Sequence, residues 1–147
     1  MSEGMIKHQM QPCPVSCVST CLAMVAGKPA AEVVDKFHID YRKGGLSLRF
    51  MLNELGVPFK SFDSADDPML EWEGAYICTA PSLNIQGGTH QIIVEITESD
   101  YWVVDPVMGR EGKLYYVKRG CEKTELEVSL GGFIMDAFID AEWLRAR

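Results

Sequence analysis

Three cysteines stand four residues apart in the stretch QPCPVSCVSTCLAM, at positions 13, 17 and 21. Thiols at this spacing have three chemistries open to them: disulfide formation, metal ligation, or attack on a carbonyl as a thiolate. The chain holds five cysteines, an odd count, and bridging inside the crowded segment would distort a helix. Zinc motifs pair two close cysteines with a second Cys or His pair elsewhere. Here Pro14 separates Cys13 from the residues after it, and no such pair recurs downstream. We therefore expect no metal and no other cofactor, and ask which thiol is placed for nucleophilic chemistry.

Position separates the three. Val18, Cys21, Leu22 and Val25 fall at i, i+3, i+4 and i+7, the apolar stripe of an amphipathic helix. Pro14 stays out of the helix interior, Ser16 can cap, and Gly27 followed by Pro29 ends the helix, so it spans about residues 17 to 26. Cys21 lies within the stripe and reads as a small core residue; Cys13, flanked by Pro12 and Pro14, reads as a loop thiol. Cys17 occupies the first turn, about 100° round from the centre of the stripe. There the positive end of the helix favours a thiolate.

A thiolate nucleophile needs a base, a group to orient that base, and donors for the oxyanion. His8, near the N-terminus, and His38, expected just after a second helix, suit surface roles. His90 follows Gly87-Gly88 and opens a run rich in β-branched residues, on the face of Ile92, Val94 and Ile96. Asp105 closes the next such run, Tyr101 to Val104. A hairpin turning at Glu98-Ser99 sets His90 opposite position 107 and Asp105 opposite Ile92, which keeps both side chains on one face. Diagonal partners lie about 7–8 Å apart, within reach of an imidazole and a carboxylate. Gln11, six residues before Cys17, can bring a side-chain amide beside the backbone N–H of Cys17 as an oxyanion donor.

The elements that must carry these residues follow from periodicity. Val33, Val34 and Phe37 suggest a second helix; Leu48, Met51, Leu52 and Leu55 suggest a third, begun near Ser47 and stopped by Gly56 and Pro58. Beyond Pro58 the pattern changes to strands at Ala75 to Thr79, His90 to Thr97, Tyr101 to Val104, Lys113 to Val117 and Glu125 to Leu130. The tail FIMDAFIDAEWL fits either a strand or a helix. Helices followed by antiparallel strands describe an α+β fold in which the N-terminal helices pack on a C-terminal antiparallel sheet. At 147 residues a single domain, 1–147, buries an adequate core. A formal charge of −7 without a Lys/Arg cluster repels a polyphosphate, so no nucleic acid partner is expected. The first twelve residues hold no apolar signal region, and no later run approaches the ~20 residues of a membrane span. A cytoplasmic protein without membrane insertion is the expectation.

Two motif blocks carry a family resemblance: Q-x5-C-x3-C-L-A-M (Gln11, Cys17, Cys21, Leu22, Ala23, Met24) and H-x14-D-P-x2-G (His90, Asp105, Pro106, Gly109). Over roughly residues 9 to 140 the chain resembles the papain-like cysteine peptidases, in the short form of the C39 (bacteriocin-processing) domains and their stand-alone relatives. The resemblance implies a papain-like fold, Cys17 as nucleophile, His90 as general base and then acid, Asp105 as orienter and Gln11 as oxyanion donor. Val18 stands where glycine commonly follows the nucleophile in that family, which implies a narrower cleft or altered leader specificity. With no transporter portion and no propeptide in view, a stand-alone enzyme is expected rather than exporter-coupled processing.

The leading expectation is a cysteine peptidase that cleaves a peptide or protein substrate through a thioester acyl-enzyme. A double-glycine leader or a ubiquitin-like tail would extend the family's habit of cutting after small residues. An acyltransferase, transglutaminase or deamidase would share the first half-reaction. The contrasting class is a catalytically degenerate binding module, for instance a phage or bacterial interaction factor that captures a protein partner in the cleft.

Overall fold

Helix α1 spans Cys17–Ala26, and its two ends are made differently. At the far end Gly27 turns left-handed (φ 69°), and the N–H groups of Gly27 and Lys28 return to the carbonyls of Met24 and Ala23. The Arg147 guanidinium adds bonds to the carbonyls of Val25 and Met24, a cation on the negative end of the helix. At the near end Ser16 does not cap, contrary to expectation. Its backbone (φ −102°, ψ 26°) is not the extended backbone of a cap, and its hydroxyl turns back to donate to the Cys13 carbonyl and accept from the Cys13 N–H. The first turn of α1 therefore keeps its N–H groups uncovered by any capping side chain.

The computed structural model describes residues 4–13, 15–62, 72–98, 100–120 and 124–147, with the backbone alone at 38, 39 and 42. Pro14, expected to bound α1, and Ser99, expected in the hairpin turn, lie outside the described residues. Helix α2 is Ala30–Arg42, so His38 lies inside it rather than after it, since no helix breaker comes before Gly44-Gly45. Helix α3 is Leu48–Glu54, and here Ser47 does cap, accepting from the Phe50 N–H at 3.1 Å. The strands are β1 Lys60–Ser61, β2 Gly74–Pro81, β3 Thr89–Thr97, β4 Asp100–Val104, β5 Tyr115–Val117, β6 Glu127–Ser129 and β7 Ile134–Asp140. Helix α4, Ala141–Ala146, follows at once, capped by Asp140, so the ambiguous tail is a strand and then a helix.

Five strands form one antiparallel sheet in the order β1-β7-β2-β3-β4. Alternate residues of β2 and β3 go to opposite faces. Ala75, Ile77 and Ile93 pack under Leu22, Met24 and Val25 of α1, while Tyr76, Ile92 and Val94 meet Phe138, Tyr116 and Leu130 on the other side. Each fully buried leucine or isoleucine contributes roughly 1.5–3 kcal/mol, so α1 is held firmly to β3. Between Ile77 and Cys78 the β7 register shifts: Ile77 faces Ala137 and Cys78 faces Met135, leaving Asp136 as the extra residue of a β-bulge.

β5 and β6 depart from the expected antiparallel continuation, because they pair with each other in parallel as a separate two-stranded sheet. The Tyr115 N–H and the Val117 carbonyl face β6, whereas the Tyr116 N–H points the other way and bonds the Asp105 carboxylate. That carboxylate occupies a donor that joining the main sheet would require. Among the described residues no helix is long and apolar enough to cross a membrane.

Candidate active site

The β3–β4 hairpin takes the register read from the spacing, with Ile93 opposite Val104 and Ile96 opposite Tyr101. Glu98 turns with φ 49°. β4 ends at Val104, and Asp105 leaves the ladder with its side chain buried. Its Oδ1 accepts from His90 Nε2 at 2.6 Å and from the Val107 N–H at 2.9 Å, and its Oδ2 accepts from the Tyr116 N–H at 2.8 Å. Three donors on one buried carboxylate fix its orientation and hence that of the imidazole.

Cys17, half-buried at the start of α1, lines the same cleft as this histidine, and the two are electrostatically coupled. Since Nε2 is committed to Asp105, Nδ1 is the ring nitrogen left for the thiol. Burial works to raise the Cys17 pKa. The hydrogen bond and charge of His90, helped by backbone N–H groups of Gln91 and Val18, outweigh it and bring the thiol below its ordinary value. Burial likewise works to lower His90, but Asp105 and Cys17 together raise it to about 9. Both shifts favour a thiolate beside an imidazolium.

Gln11 reaches the same cleft. Its N–H donates to the Pro106 carbonyl at 2.7 Å, and its own carbonyl accepts from Arg110 Nη1 at 3.0 Å. One N–H of its side-chain amide goes to the Cys13 carbonyl at 2.8 Å, and the buried Oε1 has no partner among the described residues. The second N–H of Nε2 is the one that can serve an oxyanion. Cys13 acts here through its backbone, since its carbonyl takes both the Gln11 amide and the Ser16 hydroxyl. Cys21 is fully buried, points its Sγ at the Gln91 carbonyl, and is pushed well above the ordinary thiol range by burial.

Several contributors escaped the sequence reading. His8 is not a surface residue on a loose terminus: its Nε2 lies 3.0 Å from the Asp105 carbonyl. The segment bearing it is tied down because the Ile6 N–H donates to the buried carboxylate of Glu95 at 2.7 Å. The Val107 and Tyr116 N–H groups carry no residue-type signal, and Arg110 would have needed its place after the D-P-x2-G turn to be noticed.

Cys17, His90 and Gln11 line a cleft of about 560 Å³, whose other lining residues include Val18, Tyr41, Arg110 and Lys113. Among the described residues no group of three or more His, Cys, Asp or Glu side chains is placed to hold a metal ion. No protein-family model, curated protein or solved structure matches the chain. The arrangement joins a lowered thiol, an imidazole able to hold or give a proton, a buried carboxylate that orients it, and an amide beside a helix start. Such a set can attack a carbonyl carbon, stabilise the oxyanion and protonate a leaving group.

Proposed function

We propose that the chain is a cysteine peptidase of papain-like, C39-like fold that hydrolyses a peptide or protein substrate. The observation that carries this reading is the relay from Cys17 at the start of α1, through His90, to the buried Asp105 at 2.6 Å. The Cys17 thiolate attacks the scissile carbonyl carbon, and its electron pair forms the C–S bond as the carbonyl oxygen takes the negative charge. The Cys17 N–H and the free N–H of the Gln11 amide stabilise that oxygen. The His90 imidazolium gives its proton to the leaving amine, and the C–N bond breaks to leave a thioester. His90, now neutral, takes a proton from water; the hydroxide attacks the thioester, and the acid and thiolate are released. Cys17, Cys21 and Cys78 as thiols suit a reducing, cytoplasmic setting.

A quenched peptide library, incubated with and without an amine acceptor, tests the reading. The expectation is cleavage that water completes and that Cys17→Ala abolishes. Amine adducts in place of hydrolysis would make the enzyme an acyltransferase, and cleavage retained by Cys17→Ala would remove the nucleophile from the account.

A further inference from the structure

The cleft does not end at Cys17. Val18, Tyr41, Thr79 and Gln91 also line an adjacent chamber of about 350 Å³, whose lining includes Asp136. Asp136 is the extra residue of the β7 bulge. Met135 packs with the Tyr76 side of the sheet and Ala137 with the helix side, so regular alternation from Ala137 would turn Asp136 away from the helices. The bulge reverses this and puts two consecutive residues, Asp136 and Ala137, on the helix side. Bulges re-aim side chains in this way beside functional sites.

The carboxylate is also held. Its Oδ2 accepts from Thr79 Oγ1 at 2.6 Å and from Gln91 Nε2 at 3.0 Å, while Oδ1 takes no hydrogen bond among the described residues. Arg49 lines the same chamber but is exposed and forms no ion pair with Asp136 among the described residues. Tyr41 lies within range of both charges: burial raises its pKa first, and Cys17 and Asp136 raise it further.

We infer that this chamber is a subsite for an ammonium or guanidinium group, in which Asp136 selects substrates with a cation near the scissile bond. The assignment rests on the peptidase reading for its use, although its recognition chemistry does not need cleavage. A cation in the chamber makes a charge-assisted bond to Oδ1, which a neutral isostere cannot supply. Arg110 and Lys113 line the cleft but not the chamber and disfavour the same charge there, which favours placing a substrate's cation in the chamber.

The test uses alkylation of Cys17 in the full chain by iodoacetamides whose N-substituents end in an ammonium, a methyl or a carboxylate, over a series of lengths. Saturable labelling about tenfold faster for the ammonium than for the methyl tail at one length is expected, with the carboxylate slowest. In Asp136→Asn the ammonium-to-methyl ratio is expected to fall to near one, whatever the basal rate. A parallel series of short peptidyl tails separates the sources: lysine with an acetylated N-terminus mimics a basic side chain, and norleucine with a free N-terminus mimics an α-ammonium. Equal rates for ammonium and carboxylate tails in the wild type would overturn the subsite, as would a ratio unchanged in Asp136→Asn. Plain iodoacetamide that fails to prefer Cys17 over the other thiols would instead count against the peptidase reading, while the tail ratio still reports on the chamber.

Discussion

Cys17 and Cys21 stand one helical turn apart on α1, and the same helix drives them in opposite directions. Cys17 is half-buried at a helix start where Ser16 makes no side-chain cap, His90 beside it is favoured as imidazolium, and its thiol is brought below the ordinary value. Cys21 is fully buried among Leu22, Ile93 and Val25, donates to the Gln91 carbonyl, and is pushed well above that value. Burial opposes ionisation at both. The difference lies in compensation: donors and an opposite charge surround one sulfur, whereas the other faces an acceptor and the negative fields of Cys17 and Asp105. Placement by four residues thus decides which thiol is favoured as thiolate and which is held protonated in the core.

The largest expected effect breaks the comparison outright. Cys17→Ala is expected to cut peptide hydrolysis by about 10⁴-fold or more, whereas Cys21→Ala stays within about threefold, as measured by initial rates on one peptide. Asp105→Asn follows, with a loss of about 10²–10⁴-fold. It also exposes the cause, because the His90 imidazole, titrated by NMR, should lose protons well below the value of about 9. An unchanged titration in that variant would detach Asp105 from the account.

The pH profile sharpens the contrast. Both Asp105 and the Cys17 thiolate favour imidazolium, so the proton needed by the leaving amine is present below about 9 and is lost as pH rises through that value. On the acid side, activity falls as the thiolate takes up a proton, at a pH below that of an ordinary thiol. The predicted profile is therefore a bell whose alkaline limb lies near 9. A rate that keeps rising beyond pH 10 would argue against imidazolium as the proton donor. The smaller effects are structural. Cys21→Ala is expected to cost about 1–2 kcal/mol in denaturant unfolding, through lost packing. Ser16→Ala is expected to cost less than about 1 kcal/mol, because its hydroxyl ties the loop to Cys13 and caps nothing.

Local signals made much of this legible in the sequence. The stripe of Val18, Cys21, Leu22 and Val25 placed α1, and the β-branched run after His90 placed β3. Two-residue alternation around Glu98-Ser99 put His90 and Asp105 within reach of each other. What could not be read depends on distant chain segments. The Tyr116 and Val107 N–H groups are backbone donors with no type signature, and the Asp136 bulge arises only when β7 meets β2. The pairing of β5 with β6 runs through the Tyr115 N–H and the Val117 carbonyl, while the other edge of β5 gives its Tyr116 N–H to Asp105, eleven residues away. His8 looked like a terminal surface residue because nothing near it in sequence reveals the Glu95 carboxylate that anchors its segment.

The central claim is that Cys17 exists as a thiolate paired with His90. The most direct measurement is the ultraviolet thiolate absorbance of the folded protein against pH, taken as the difference between wild type and Cys17→Ala. The account predicts a single titration below the ordinary thiol value, displaced upward in His90→Ala. A Cys17 titration at or above the ordinary value in the wild type, unmoved by His90→Ala, would contradict it.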